Sequence, residues 1–187
     1  MSGYLIAIEG IDGVGKSTLA SSLHDLLRQR GHTVTLTSEP THGRHRARAV
    51  MGDIEASTLD RAEHVEQVIA PALERGDVVI TDRYIASGSA YGCRTMKGAL
   101  LDFDAQCARF PTPDLWLYVR APLSLCRVRI ESRGEVFEHV KLQNVNARMN
   151  RIFREHHEDV LRLCGGEPCA WTVANEIRAR LSARGML

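Results

Sequence analysis

Residues 9–18 read EGIDGVGKST and directly follow the apolar run YLIAI. Residues 10–17 fit the pattern G-x-x-x-x-G-K-S/T without a mismatch, and they lie between a predicted strand and a predicted helix, which is the context that the motif requires. The glycines allow successive backbone N–H groups to point toward an anion, and the positive end of the following helix adds to the attraction. The sequence therefore predicts a phosphate-binding loop for a nucleoside triphosphate.

Two polar residues of this phosphate-binding loop have separate expected roles. Lys16 can reach the β- and γ-phosphates, and the hydroxyl of Ser17 can ligate Mg²⁺. The residues expected to contact ATP are Gly10, Ile11, Asp12, Gly13, Val14, Gly15, Lys16, Ser17 and Thr18. The motif by itself does not distinguish a kinase from a GTPase or a motor ATPase.

Two further polar stretches follow predicted strands, SEPTHGRHRAR at 38–48 and TDRYIASGSAY at 81–91. Asp82 ends a β-branched run, where the second magnesium-binding carboxylate of such enzymes stands. Arg83 offers a planar fork to a phosphate oxygen, although a purely structural pair with Asp82 is the alternative interpretation. Three arginines in 44–48 add positive charge at the same edge. This pattern favours a kinase of small molecules.

The apolar periodicity predicts the elements that position these residues. Strands are expected at 4–9, 33–36, 78–80, 115–119 and 171–173. Helices are expected at 16–30, from a capping box at 57–60 to Gly76, at 100–110, from Pro122 to about 130, at 140–163 and at 176–183. Strands that alternate with helices predict a parallel sheet covered on both faces. Because ligands bind at the carboxyl ends of such strands, the loops are expected to surround one crevice.

The composition limits the class of protein. The chain has 187 residues, 44% of them apolar and 25% charged, which is typical of one globular domain. The formal net charge of +1 gives no electrostatic basis for binding a nucleic acid polymer, and no apolar run is long enough to indicate a membrane span. The five cysteines lack the spacing of a disulfide scaffold and therefore favour a cytoplasmic protein.

Four stretches, in order, resemble thymidylate kinases: EGIDGVGKST, SEPTHG, LDRAEHVEQVIAPALERGDVVITDRYIASGSAYG and PDLWLYV. The resemblance extends to about residue 155, and the DRY-x-x-S-x-x-A-Y piece is its most specific part. It implies an α/β P-loop kinase fold, with a five-stranded parallel sheet flanked by helices on both faces and a short lid. It further implies a homodimer that moves the γ-phosphoryl of ATP to dTMP with Mg²⁺, giving dTDP and ADP.

The resemblance also implies roles for single residues. Asp12 matches an aspartate near the 3′-hydroxyl of the monophosphate, Arg83 an arginine that binds its 5′-phosphate, and Tyr91 an aromatic residue below the deoxyribose. Arg61 matches an arginine that hydrogen-bonds thymine, and Ser87 is expected to line the base pocket. Mg²⁺ is expected at Ser17 and Asp82. The expected catalytic set is Lys16, Arg83, Asp12 and Arg133.

The lid is expected at about 131–137 and the monophosphate-binding segment at about 38–62, both within a single domain of residues 1–187. Position 13 is glycine, where some members of the family carry a basic residue, so the lid is expected to supply that charge. Of Arg127, Arg129 and Arg133, the last is favoured because ESRGE at 131–135 is typical of a tight mobile loop. Glu135 and Glu138 match acidic positions at the lid boundary, and Glu138 is expected to contact the substrate.

Three positions depart from the family pattern. Ser57 replaces an aromatic residue that commonly stacks on thymine, Gly88 a polar residue that contacts the base, and Gly92 a common glutamine. Two alternatives stay open. One is a kinase of another deoxynucleoside monophosphate, with a different or modified pyrimidine, and the other is a non-catalytic nucleotide-binding relative.

Overall fold

A computed structural model describes residues 3–135, 139–156, 159–164 and 170–186. Within these ranges, one sheet of five parallel strands has the order β2-β3-β1-β4-β5. The strands are β1 (Tyr4–Glu9), β2 (Val34–Ser38), β3 (Val78–Asp82), β4 (Leu115–Arg120) and β5 (Val160–Cys164). Every residue of the central strand β1 is buried, which accounts for its apolar sequence. The expected α/β fold is confirmed.

The helices within the same ranges alternate with the strands. They are α1 (Lys16–Gln29), α2 (Arg46–Val50), α3 (Ile54–His64), α4 (Ala70–Glu74), α5 (Ile85–Gly92), α6 (Met96–Arg109), α7 (Leu123–Glu131), α8 (His139–Glu155) and α9 (Ala170–Ala183). A π-helical turn, Val65–Ile69, joins α3 to α4. Pro71 follows this turn, and because proline lacks an N–H and its ring crowds the preceding turn, the wider helix accommodates it. None of the described helices is both long and apolar enough to cross a membrane.

The two faces of the sheet carry different helices. From β1 the chain passes through α1 to β2 in one direction along the sheet, and from β3 it passes through α5 and α6 to β4 in the other. Since such crossovers are right-handed, α1 covers one face and α5 and α6 cover the opposite one. Helix α9 packs against α1, whereas α8 packs against α5 and α6. The carboxyl ends of β1 and β3 therefore open between two helical layers.

The sequence interpretation of the last third of the chain was partly wrong. A single helix was expected at 140–163, but α8 ends at Glu155 and residues 160–164 form the edge strand β5. The apolar period of α8 stops before Asp159, whose φ of 53° is incompatible with a continuing helix. Residues 171–173 were expected to form a strand but lie in the first turn of α9. Within this helix Val173, Ala174, Ile177 and Leu181 are buried at helical spacing.

The start of the helix before Gly76 was also misplaced. The capping box expected at 57–60 is not used, because α3 begins at Ile54 and its N-cap is Asp53. The Asp53 carboxylate accepts a hydrogen bond from the Ala56 backbone N–H at 3.0 Å. As a result, Asp60 is free to bind elsewhere, and it accepts from the backbone and hydroxyl of Thr41 at 2.8 and 2.6 Å. Asp60 thus fixes the loop after β2 against α3.

Candidate active site

The phosphate-binding loop connects the buried end of β1 to the first turn of α1. Gly13 has a φ of 81°, and a Cβ built there would lie 2.5 Å from the carbonyl oxygen of Cys126 in α7. A side chain at position 13 would therefore require α7 to shift and would strain the backbone. The Arg129 guanidinium, one turn further along α7, donates to the carbonyl oxygen of Gly13 at 3.3 Å. Helix α7 therefore holds the loop from outside.

Lys16 lies under this loop, with only 5% of the residue exposed. Its Nζ donates to the carbonyl oxygen of Ile11 at 3.0 Å. Burial and the nearby charge of Arg83 lower the pKa of Lys16 to about 8, against the opposing effect of Asp12 and Asp82. A buried ammonium group is a strong attraction for a phosphate oxygen that displaces the carbonyl.

The remaining loop residues are placed by the same turn. The side chains of Ile11 and Val14 are buried in the core, so only their main chain can contact a ligand. Thr18 is exposed in the first turn of α1, next to Ser17. The loop thus presents two hydroxyls at the surface, and the ammonium group of Lys16 lies buried beneath its main chain.

Ser17 and Asp82 meet where α1 begins and β3 ends. The Ser17 hydroxyl donates to Oδ2 of Asp82 at 2.5 Å. The other oxygen, Oδ1 of Asp82, is buried and has no hydrogen-bond partner among the described residues. A buried carboxylate oxygen without a partner is costly unless a ligand satisfies it. Because Mg²⁺ prefers carboxylate and hydroxyl oxygens, this pair fits the ion.

Asp12 and Arg83 form an ion pair across the same cleft, at the mouth of the loop. The Arg83 guanidinium lies over the Tyr91 ring, 5.2 Å from its centre, and within 3.5 Å of the Ser87 hydroxyl. Burial alone would raise the pKa of Asp12, but the charges of Arg83 and Lys16 outweigh it and lower that pKa. Residues predicted from two separate motifs, Asp12 from the loop and Arg83, Ser87 and Tyr91 from 81–91, are therefore brought together here.

The backbone of Arg83 is held in an unusual conformation. Its φ of 73° is in the left-handed region, which costs a non-glycine residue of order 1–3 kcal/mol. Two hydrogen bonds hold it there: its N–H donates to the carbonyl oxygen of Ile8 at 3.0 Å, and its carbonyl accepts from the Thr81 hydroxyl at 2.7 Å. This turn directs the Arg83 side chain into the cleft immediately after β3.

Glu9 supports the site and was missed in the sequence. Its carboxylate is fully buried at the end of β1 and accepts the backbone N–H groups of Tyr84 and Ser87 at 3.0 and 3.1 Å. It also accepts the Ser87 hydroxyl, so this hydroxyl, expected in the base pocket, is already bonded to Glu9. Burial raises the pKa of Glu9. A lone charged residue at the end of YLIAIE is the signal that could have identified it.

Arg61 lies deeper than expected and is only 2% exposed. Its Nε and Nη2 donate to Oε2 of Glu39 at 3.0 and 2.8 Å, and Nη2 also donates to the carbonyl oxygen of Tyr84 at 3.1 Å. Nη1 donates to Oε1 of Gln106 at 2.9 Å. His64 completes the cluster, with Nδ1 3.1 Å from Oε1 of Glu39. No sequence pattern indicated Gln106, because its helix α6 meets α3 only in the folded chain.

The arginines expected at the ligand edge have local partners. Arg44 pairs with Glu63, Arg46 donates to the carbonyl oxygen of Pro40 at 2.8 Å, and Arg48 pairs with Asp53 at 2.6 Å. They fix the segment between β2 and α3 rather than converging on the cleft.

The lid residues are only partly within the described chain. Arg133 is about half exposed, and its Nε lies 3.3 Å from Oε1 of Glu135, two residues further on. Arg129, in contrast, contacts the phosphate-binding loop itself. Residues 136 and 137 of the expected lid and the expected substrate contact Glu138 lie outside the described residues.

Comparison with known proteins gives one consistent family. The model of the family described as Thymidylate kinase matches residues 8–177. The chain is 44% identical over 164 residues to the protein named thymidylate kinase of Xanthomonas campestris pv. campestris, covering 81% of this chain and 70% of that protein. It is 39% identical over 171 residues to a probable thymidylate kinase of Pyrococcus abyssi, covering 81% of this chain and 82% of that one.

Proposed function

Because this chain belongs to the thymidylate kinase family, we propose that it transfers the γ-phosphoryl group of ATP to dTMP, giving dTDP and ADP. The observation that carries the proposal is the ion pair of Arg83 with Asp12 beside the phosphate-binding loop and Lys16. Lys16 and Arg83, which would bind phosphates from different sides, thus face one cleft.

At the ATP side, the main chain of the loop binds the phosphates and Lys16 neutralises the β- and γ-phosphates. Lys16 exchanges the Ile11 carbonyl for a phosphate oxygen, and the negative charge of ATP raises its pKa above the value of about 8 in the free protein. Ser17 and Asp82 would hold Mg²⁺. When bound, this ion supplies positive charge next to the phosphates.

At the dTMP side, Arg83 binds the 5′-phosphate and Asp12 accepts a hydrogen bond from the 3′-hydroxyl. The Arg83 guanidinium leaves Asp12 for the phosphate, which frees the carboxylate for the sugar. Tyr91 lies against both and forms the floor below the deoxyribose. A ribose 2′-hydroxyl would clash with this ring, which favours a deoxynucleotide.

Phosphoryl transfer needs no covalent intermediate here. A phosphate oxygen of dTMP attacks the γ-phosphorus in line, while Lys16 and Arg83 stabilise the charge on the transferred group. Positioning and electrostatic stabilisation supply the acceleration. Arg133 brings a further charge when the lid covers the site, and Glu138 joins the substrate contacts there. A covered site also excludes water as a competing acceptor.

Arg61 is proposed to face thymine through Nη1, which bonds Gln106 rather than Glu39, and Ser87 borders the same pocket. A Cβ at position 88 would lie 2.7 Å from Nη2 of Arg61, so packing against this guanidinium accounts for Gly88. A Cβ at position 92 would lie 2.5 Å from Cγ1 of Ile54, which accounts for Gly92 in the same way. Packing thus provides a reason for both glycines that does not involve the base.

Two broader properties, the oligomeric state and the compartment, belong to the same proposal. The protein is proposed to work as a homodimer, for which the exposed Val50 and Met51 of the segment before α3 provide apolar surface. It is proposed to work in the reducing cytoplasm, because Cys93, Cys107 and Cys126 are free thiols.

The test is a coupled assay of ADP release with ATP and five acceptors: dTMP, dUMP, dCMP, UMP and thymidine. We expect dTMP to give the highest kcat/KM, and UMP and thymidine to be poor acceptors. The Lys16→Ala variant should lose turnover by about 10²-fold or more with the fold intact. A preference for another base would redirect the proposal to that nucleotide. If the protein bound ATP but phosphorylated none of the five acceptors, it would be a non-catalytic relative.

A further inference from the structure

A cleft away from the proposed catalytic site opens beside the edge strand β5. It has a volume of about 510 Å³ and is lined by Tyr118, Arg120, Asn150, Phe153, Arg154 and Arg162. These residues come from β4, α8 and β5, and none belongs to the phosphate-binding loop or to the segment after β3. The cleft lies on the face of the sheet that α8 covers, whereas α1 lies on the opposite face. It therefore shares no lining residue with the proposed ATP and dTMP sites.

Three guanidinium groups dominate the lining, and the described residues give them little negative charge. Arg120, Arg154 and Arg162 are exposed. Among the described residues no carboxylate pairs with them, and the carboxylates nearest in sequence bind elsewhere, Glu155 to Arg151 and Asp159 to Arg180. An arginine fork matches the geometry of phosphate oxygens. The cleft is therefore suited to an anion.

The walls of the cleft are ordered by packing. The rings of Tyr118 and Phe153 stack with centres 4.3 Å apart, and the Tyr118 hydroxyl donates to Oδ1 of Asn150 at 2.9 Å. This bond leaves the amide NH₂ of Asn150 as a donor. Arg162 donates to the Phe153 carbonyl near the end of α8, which joins β5 to that helix. The arginine forks are thus presented on a rigid frame.

The spacing of the arginines indicates the size of the ligand. Arg162 is paired with Tyr118 in the sheet, and Arg120 lies two residues beyond Tyr118 on the same strand face. Strand spacing and rise place their Cα atoms about 8 Å apart. Because the three forks start from β4, β5 and α8, a ligand with several phosphate groups can contact all of them at separate points. We propose that this cleft is a second anion site, which binds a chain of two or more phosphates, either inorganic or carried by a nucleotide.

Calorimetric titration of the full chain with sodium tripolyphosphate, without magnesium, tests the proposal. The wild type should bind two equivalents, and Lys16→Ala, which weakens the phosphate-binding loop, should retain one. Adding Arg120→Gln and Arg154→Gln should weaken this remaining equivalent at least about tenfold, the effect of one lost charge-assisted hydrogen bond. Binding in the Lys16→Ala background that these two changes do not weaken would overturn the proposal, as would its absence.

The matched control is Lys16→Ala with Lys141→Gln and Arg151→Gln, which removes two exposed cations from α8 outside the cleft. This control should retain the cleft affinity, and an equal loss would reduce the effect to overall charge and refute a built site. In the Lys16→Ala background, ADP and pyrophosphate then identify the source. Tighter ADP binding means a nucleotide ligand, and equal binding means that the phosphate chain alone is recognised. With Lys16 intact, the two cleft substitutions should leave kinase turnover unchanged. Failure of the kinase proposal can therefore be distinguished from failure of the cleft proposal.

Discussion

The Tyr91 hydroxyl donates a 2.8 Å hydrogen bond to Oδ2 of Asp12 and accepts a 3.0 Å bond from the Asp12 backbone N–H. One phenol therefore fixes both the side chain and the main chain of a residue in the phosphate-binding loop. This is a direct mechanical link between the loop proposed for ATP and the helix α5 that borders the proposed dTMP pocket.

Removing the Tyr91 hydroxyl should separate its hydrogen bonds to Asp12 from the space that its ring fills. In Tyr91→Phe the ring still fills the floor below the sugar, but Asp12 loses a hydrogen-bonded partner. We expect kcat/KM for dTMP to fall about tenfold, the effect of one hydrogen bond to a charged group. The ratio of kcat/KM for dTMP over UMP should stay close to that of the wild type.

Tyr91→Ala is the companion variant, because it removes the ring as well. It should lower the dTMP over UMP ratio in addition to kcat/KM. If Tyr91→Phe changed this ratio as much as Tyr91→Ala, the ring would not be the group that excludes the 2′-hydroxyl.

The site could be predicted largely because its residues follow strands. Asp12, Asp82 and Arg83 each stand within a few positions of a buried strand end, and parallel strands bring their carboxyl ends to one edge. Local sequence therefore sufficed to place them together. The depth of Arg61 could not be read in this way, because it depends on Glu39 and Gln106, which reach it from β2 and α6.

The fold was predictable to the same extent. The strand β1 is fully buried and β3 and β4 are buried except at their last residues; all three are nearly continuous apolar runs and were placed correctly. The edge strand β5 is partly exposed and carries Arg162, so its short apolar alternation merged with the period of α8.

Lys16 is expected to lower the stability of the free protein. Its pKa is lowered from 10.5 to about 8, first by burial and then by Arg83, so the folded state disfavours its charge. The neutral variant Lys16→Met should therefore raise the free energy of unfolding at pH 7 by about 1–3 kcal/mol. It should at the same time lose kinase turnover, which would separate the functional role of the charge from its cost in stability.

The gain should depend on pH. Below pH 8 the lysine is protonated in both states, and between pH 8 and 10.5 the unfolded chain binds more protons than the folded one. In that range the wild type gains stability with rising pH relative to the variant, so the variant's advantage in the free energy of unfolding shrinks. Denaturant unfolding of both proteins at pH 7 and 9.5 measures this advantage. Lys97→Met, at an exposed position, is the control and should show no such difference. A constant advantage of Lys16→Met across this range would contradict the buried-charge explanation.

Arg129 and Arg133 are expected to affect different kinetic constants. Arg129 bonds the Gly13 carbonyl in the phosphate-binding loop, so Arg129→Gln should mainly raise the KM for ATP by disordering that loop. Arg133 is half exposed and proposed to reach the transferred phosphoryl only when the lid closes. Arg133→Gln should therefore lower kcat about 10–100-fold with little change in either KM. Steady-state kinetics with each substrate varied in turn measures both, and the opposite assignment of effects would make Arg129 the catalytic arginine.

The ion pair of Glu39 with Arg61 should be the most sensitive polar contact in the described core. Both side chains are nearly inaccessible, and Glu39→Gln leaves the Arg61 charge buried without a counter-charge. We expect a loss of about 3 kcal/mol in the free energy of unfolding, the range found when one partner of a buried pair is removed. Glu63→Gln makes the same chemical change in the pair with the well-exposed Arg44, and it should cost less than about 1 kcal/mol. Denaturant unfolding of both variants makes the comparison. Equal losses would mean that Arg61 is stabilised mainly by Gln106 and the Tyr84 carbonyl rather than by Glu39.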